Sequence, residues 1–353
     1  MPEKVNRILI CKLKFYGDML LITPVIATLK KIYPQANIDI LLYKDTKAIL
    51  SADPNINEFY LIEKKVGLIK KICNFLYIRR KLKKNKYDLI LNLSEQWPIG
   101  LLVASLHRFS VSFERNKNSW NKLFSHVVPL TGTHIVEQNL SILTGINIAK
   151  KYWVKALSLY YTESDRRSLL QINPMLNDKR YVVIQPTARQ CFKCWDDSKF
   201  AAVIDYLAQY RLHVILTCGP LQNELEQVKN IANLCTHKPD LQFAGKTTFL
   251  QLAALIDGAT LYIGVDSAPM HMAAALQTPQ VSLFGATNYL QWRPWTDKAV
   301  IIWAGDYHVM PKRDELDRSK KYLSWIPVSA VTEAVAALLA RHTRTKGGRI
   351  SNE

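Results

Sequence analysis

Short apolar runs recur along this chain at helix-length intervals, and that rhythm narrows the folds open to it. Residues 7–13, 38–43, 58–62 and 87–93 each read as a buried strand, and 19–33 reads as a helix. Buried strands separated by helical stretches mark parallel βαβ units, because a parallel connection must cross the sheet. The rhythm lapses over a polar stretch, 150–178, where Asn173-Pro174 signals a turn. It then restarts. Strands at 181–185, 213–218, 241–244, 261–265 and 280–284 alternate with helices at 197–210, 222–234, 248–257 and 269–276. A helix at 328–340 closes the pattern, and the charged tail 343–353 with its Gly347-Gly348 reads as mobile. The expected fold is α/β, with two doubly wound Rossmann-like domains, 1–165 and 166–327, then a closing helix and tail, 328–353. Ligands in such folds gather at the carboxyl ends of the strands, here expected between the domains.

A chain of 353 residues that is 48% hydrophobic can bury two sizeable cores. No apolar run is long enough to span a membrane. Lys12 and Lys14 interrupt the first apolar run, which is unlike a signal peptide. The six cysteines are scattered, and reduced thiols in a cytoplasm are their simplest account. Cys191 and Cys194 have the spacing of a metal or redox pair, but no second pair or clustered His joins them, so no metal is expected. The net charge of +18 is uneven: residues 1–155 hold 25 Lys and Arg against 11 Asp and Glu, and the remainder holds 22 against 18. A basic first half favours an anionic partner: nucleic acid, an anionic membrane surface or a phosphorylated substrate. A solvated basic face is the plainer alternative.

Three segments could carry chemistry. In the first, Gly264-Val265-Asp266-Ser267-Ala268-Pro269-Met270-His271, a buried strand feeds a helix through small polar residues. Such a junction turns backbone N–H groups and the positive end of a helix dipole towards whatever fills the site, and suits phosphate. Pro269 fits the first helical turn. An ordinary capped helix start remains equally open from these residues alone. The second segment, Lys12-Leu13-Lys14-Phe15-Tyr16-Gly17-Asp18, follows the first strand: Gly17 permits a tight turn and Asp18 stands at the helix start. Asp18 is a preferred N-cap residue, and equally a carboxylate base aimed across a cleft. The third, Gln185-Pro186-Thr187-Ala188-Arg189-Gln190-Cys191-Phe192-Lys193-Cys194-Trp195, places hydroxyl, guanidinium and ammonium groups past a strand's carboxyl end, as a diphosphate requires. Residues 68–86 place apolar side chains at helical spacing among many Lys and Arg, either a core-facing helix or one that lies on an anionic membrane. Residues 303–325, rich in aromatics and both charge signs, read as a loop without an assigned role.

Taken in order, these segments, with Leu283-Phe284-Gly285-Ala286-Thr287 and Trp292-Arg293-Pro294-Trp295, resemble the ADP-heptose:lipopolysaccharide heptosyltransferases, inverting GT-B glycosyltransferases. The resemblance spans nearly the whole chain. It implies two Rossmann-like domains facing each other across a cleft, an ADP-heptose donor and a lipid A-linked inner-core acceptor. By position, Asp18 matches the family's general base and Lys193 the lysine on the donor diphosphate. Thr187 and Arg189 share that donor loop, where Ala188 replaces the family's second threonine. Asp266 matches the donor-site aspartate, with Ser267, Ala268 and His271 completing the turn. A ribose-binding carboxylate falls near Asn223-Glu224, most simply Glu224, and Thr247 falls on the adenine side. Lys12 matches a lysine near the cleft, beside Gly17.

Chemistry fits these positions. Negative charge grows on the leaving diphosphate, and fixed cations and helix N-termini there lower the barrier most. The sequence has no Asp-x-Asp, so cationic side chains take a bridging metal's place, and no cofactor is expected. The implied activity is transfer of a third heptose onto the second. A sister enzyme adding the first or second heptose is the alternative, and outside the enzymes a nucleotide-sugar-binding or basic nucleic-acid-binding protein. Nucleic acid is disfavoured, because neither a helix-turn-helix nor aromatics interleaved with basic residues is present. The expected location is cytoplasmic, peripheral at the inner membrane.

Overall fold

Two parallel sheets, one in each half of the chain, account for the alternation. The computed structural model describes residues 5–64, 66–177 and 180–347. Contacts divide the chain into Met1–Tyr160 and Tyr161–Glu353. The division falls ahead of the expected 165/166 because the polar stretch contains a helix, Glu163–Ile172, that belongs to the second unit. Thr162 caps it, accepting from the Asp165 N–H while Asp165 answers back to Thr162.

In the first unit the strands are β1 (Arg7–Cys11), β2 (Asn37–Tyr43), β3 (Ile56–Ile62), β4 (Leu89–Asn92), β5 (Ser110–Phe113) and β6 (His126–Val128). Their spatial order is β3-β2-β1-β4-β5-β6, all parallel. β1 is central and its Ile8 to Cys11 are fully buried, which is why it reads as an unbroken apolar run. β5 and β6 escape sequence reading: Ser110-Val111-Ser112 and His126-Val127-Val128 are too short and polar to stand out.

The helix expected at 19–33 is two helices, Tyr16–Leu20 and Thr23–Ile32. Pro24 lies in the first turn of the second, where its missing N–H leaves no ladder bond unmade, so a new helix starts there. The helix Leu68–Asn85 packs inward through Ile78 and Leu82.

The second unit contains β7 (Tyr181–Gln185), β8 (His213–Leu216), β9 (Leu261–Val265), β10 (Gln280–Phe284) and β11 (Ala299–Trp303), in the order β11-β10-β9-β7-β8. Residues 241–244 are not the strand expected. The only pairing there is a single bridge, Ile215 with Asp240, after which the chain turns through Gly245 at φ +69°. Residues 303–325 are not wholly a loop, since Trp303 ends β11 and Tyr322–Trp325 forms a 3₁₀ turn. The closing helix, Val328–Gly347, is no separate domain: Val331 and Val335 sit in the second unit's core with Trp195, Ile263 and Leu283. Of the tail expected to be mobile, residues 348–353 lie outside the described part. Among the described residues no helix is long and apolar enough to cross a membrane.

Candidate functional site

Each sheet reverses its direction of growth once, and the expected residues gather at the two reversals. In the first sheet the chain builds outward from β1 to β3, then returns to place β4 on β1's other side. In the second, β8 lies on one side of β7 and β9 on the other. At such a switch point neighbouring loops part in opposite directions, leaving a crevice at the strands' carboxyl ends.

At the β1/β4 switch the backbone beyond β1 is held on both sides. The Lys12 N–H donates to the Leu41 carbonyl (3.0 Å) and the Leu13 N–H to Ser94 Oγ (2.8 Å). Gln96 Nε2 donates to the Leu13 carbonyl (3.1 Å), and Lys14 lies 3.7 Å from Glu95. The Lys12 side chain turns inward, 5% exposed, and its ammonium donates to Asn139 Oδ1 (3.1 Å). Asn139 in turn donates to the Leu21 carbonyl (2.9 Å). Burial pulls the Lys12 pKa down to about 8, and the Asp18 carboxylate opposes that fall.

Asp18 is not the N-cap. Phe15 occupies that position, Asp18 is the third helical residue, and its Oδ2 accepts from the Phe15 N–H (3.2 Å). The cap half of this arrangement is thus real but served from inside the helix, with the carboxylate half-buried. Gly17 forms no tight turn. It is helical, and the left-handed glycines among the described residues are Gly132 and Gly245.

At the β7/β9 switch one ion pair joins the two strands' loops: Lys193 Nζ lies 2.6 Å from Asp266 Oδ2. Lys193 ends a 3₁₀ turn, Cys191–Lys193, anchored by the buried Phe192 and by Trp195, whose indole N–H donates to the Ile326 carbonyl (3.2 Å). Asp266 follows β9, and Ser267 is the N-cap of the helix Ala268–Ala275. Ser267 does not spend its hydroxyl on capping, and Pro269 lies in the first turn as expected. His271 is buried within this helix. Arg189 stands exposed in the loop after β7.

Thr187 and Glu224 come together on β7's other side. Thr187 Oγ1 donates to Glu224 Oε2 (2.8 Å), as does the Gly219 N–H (2.7 Å). A side chain at Gly219 would meet that carboxylate at 2.8 Å, so glycine is what lets the loop after β8 close on it. Gln185 extends the network, donating to Thr187 Oγ1 and accepting from Thr217, each at 2.8 Å. Of the two ambiguous residues, Glu224 joins this network while Asn223 is exposed. Thr247 is half-buried just before Thr248, which caps the helix Phe249–Asp257. The residues missed in the sequence are Ser94, Gln96 and Asn139. Only the polar cluster Asn92-Leu93-Ser94-Glu95-Gln96 after an apolar strand gave a signal for any of them.

Among the described residues no group of three His, Cys, Asp or Glu side chains forms a metal-ligand set, and Cys191 and Cys194 are both thiols.

Comparison with known proteins supplies the family. The profile of glycosyltransferase family 9 (heptosyltransferase) matches residues 75–323. The chain is 49% identical to lipopolysaccharide heptosyltransferase 3 of Escherichia coli K12 over 332 residues, 93% of this chain and 96% of that protein. The fold is shared with a family 9 glycosyl transferase from Veillonella parvula, at a TM-score of 0.85, 21% identity, and coverage of 97% of this chain and 99% of that one. It is also shared with E. coli heptosyltransferase WaaC, solved with ADP, at a TM-score of 0.72, 16% identity, and coverage of 94% and 99%. With two parallel α/β sheets, a profile match over most of its length and a near-half-identical relative along nearly all of it, the chain belongs to glycosyltransferase family 9, the heptosyltransferases.

Proposed function

We propose that this glycosyltransferase moves L-glycero-D-manno-heptose from ADP-heptose to the second heptose of the lipopolysaccharide inner core, adding the third. The observation that carries this reading is the 49% identity to heptosyltransferase 3 across 93% of the chain. The two switch points give it a chemical form. Asp18 in the first unit takes the proton from the acceptor hydroxyl as that oxygen bonds to the anomeric carbon. The bond from that carbon to the ADP oxygen breaks on the opposite face, and the configuration inverts. Electrons of that bond leave with the diphosphate.

Lys193, Arg189 and the backbone N–H groups at the start of Ala268–Ala275 receive the new charge, which is the largest lever available to such a reaction. Asp266, Ser267, Ala268 and His271 hold the sugar and phosphates, while Thr187, Glu224 and Thr247 hold the nucleoside. Glu224 reaches a ribose hydroxyl with the oxygen not bonded to Gly219 and Thr187. Lys12 and the helix containing Gly17 shape the acceptor side. In this mechanism a general base contributes roughly a hundredfold to ten-thousandfold. The acceptor is anionic and lipid-borne, which the basic first half suits, and the protein works peripherally at the cytoplasmic membrane face.

The test is transfer from ADP-heptose to delipidated core acceptors carrying one or two heptoses. Transfer to the two-heptose acceptor is expected, with Asp18→Asn slower by a factor in the range above and ADP affinity unchanged. Preference for the one-heptose acceptor would assign the chain to a sister enzyme, and full activity of Asp18→Asn would remove the base from that position.

A further inference from the structure

The helix Leu68–Asn85 has two apolar faces, and only one is used. Phe75, Ile78 and Leu82 stand at i, i+3 and i+7 and pack on the first unit's core. Ile69, Ile72 and Leu76 repeat the same spacing on a second face, about a third of the way round the helix. Ile69 is 80% exposed, and Ile72, Leu76 and their neighbour Tyr77 are each more than half exposed. A solvated helix face should be polar, so this stripe is anomalous.

Its surroundings state what covers it. The helix contains seven Lys and Arg and no Asp or Glu. Further along, that outward face becomes basic at Arg80, Lys83 and Lys84, all exposed. An apolar segment that continues into cations on the same face fits a surface that is greasy below and anionic on top. A protein groove would need acids lining it and gives no reason for the gradient.

The helix is also placed to matter. It begins beyond β3 at the sheet's carboxyl edge, the edge that carries Asp18. Lys64, between β3 and the helix, lies 5.2 Å from the ring centroid of Phe15, the residue that caps the Asp18 helix. Phe15 is itself 48% exposed.

We infer that the outward face of Leu68–Asn85 is a membrane-docking surface: Ile69, Ile72, Leu76 and Tyr77 enter the acyl boundary of an anionic bilayer while Arg80, Lys83 and Lys84 meet its headgroups. Docked this way, the helix holds the Asp18 edge at the level where a lipid-borne acceptor presents its sugars. This inference rests on the lipid-borne acceptor of the proposed function for its purpose, but not for its test.

The experiment is flotation of the full chain with vesicles of phosphatidylethanolamine and phosphatidylglycerol, and with vesicles of phosphatidylcholine alone, in the absence of acceptor. The wild type is expected to float with the anionic vesicles. The triple variant Ile69→Ser, Ile72→Ser, Leu76→Ser is expected to bind well over tenfold less, since burial of one such side chain alone is worth about that factor. The triple variant Arg80→Ser, Lys83→Ser, Lys84→Ser should lose the distinction between the two vesicle types. All six side chains are exposed, so both variants should keep the wild-type circular dichroism, and the apolar variant should keep transfer to a delipidated acceptor. Equal flotation of wild type and the apolar variant would overturn the inference. So would a wild-type dimer that the apolar variant converts to a monomer in light scattering, which would make the stripe a self-interface. Failure of the delipidated transfer in the wild type would instead sink the proposed function and leave the vesicle result standing.

Discussion

Lys193 and Asp266 meet at 2.6 Å in a crevice where the proposed chemistry needs positive charge. The carboxylate is the more buried partner, 9% exposed against 26%, so it depends on the lysine more than the reverse. Removing only the lysine leaves an uncompensated anion beside the phosphates. Lys193→Ala is therefore expected to weaken ADP binding about tenfold to a hundredfold, the range of a hydrogen bond to a charged group. The double variant with Asp266→Asn should recover part of that loss. Calorimetric titration with ADP reads both, and an unchanged affinity of Lys193→Ala would count against its diphosphate role.

Lys12 poses the opposite problem, a buried cation with an amide for a partner. Its folded pKa of about 8 lies below its ordinary value of 10.5, so the unfolded chain binds more protons between those two pH values. Stability contributed by this residue must then rise as pH climbs through that window. Urea midpoints measured on either side of it should diverge between wild type and Lys12→Met, with the variant lacking the rise. Neither feature is legible in sequence. Lys12 could be matched by position, but its burial depends on Asn139, 127 residues away.

Among the elements, the strands and their loops explain why some residues read easily and others do not. β7 and β9 are fully buried and stand out as apolar runs, and their carboxyl-end loops were found with them. β5 and β6 were missed because short strands with alternating Ser or His carry little period-2 signal. Residues 241–244 have strand composition, yet the turn at Gly245 allows one bridge and no ladder.

Inside β9, Gly264 is required for a reason no pattern reveals. A Cβ there would lie 2.3 Å from the Tyr262 hydroxyl and 2.7 Å from the ring carbon that bears it. Tyr262 is fully buried and cannot swing away. Gly264→Ala should cost about 1–3 kcal/mol by overpacking, read as a lower denaturation midpoint. Adding Tyr262→Phe should return only part of it, since the ring carbon still clashes.

For the whole molecule, charge is the property that sequence alone delivers. The excess sits in residues 1–155, at 25 Lys and Arg against 11 Asp and Glu, in the unit that carries Asp18. An anionic acceptor drawn by that field should show a KM that rises with salt, because exposed charges are screened over about 10 Å at 0.1 M. ADP-heptose KM should rise less, as its charge contacts lie in a half-buried pair. Kinetics at low and high salt separate the two, and equal salt dependence would detach the basic excess from acceptor binding.

The sequence by itself determined the fold class, the two-sheet division and the loops that hold most candidate residues. These follow from local periodicity and from strands buried on both faces, which composition records directly. Tertiary structure alone decided which strands are neighbours, and therefore that the loops of β7 and β9, distant in sequence, bring Lys193 and Asp266 into contact. It also decided that Glu224 spends one oxygen on Thr187 and Gly219, that Asp18 braces its helix from within, and that one face of Leu68–Asn85 stays uncovered. The Asp18 brace and the Gly219 bond to Glu224 are local, but the Lys193–Asp266 and Thr187–Glu224 pairings cross long stretches of chain. Pairings of that kind are set by the order of strands in a sheet, which local pattern does not encode.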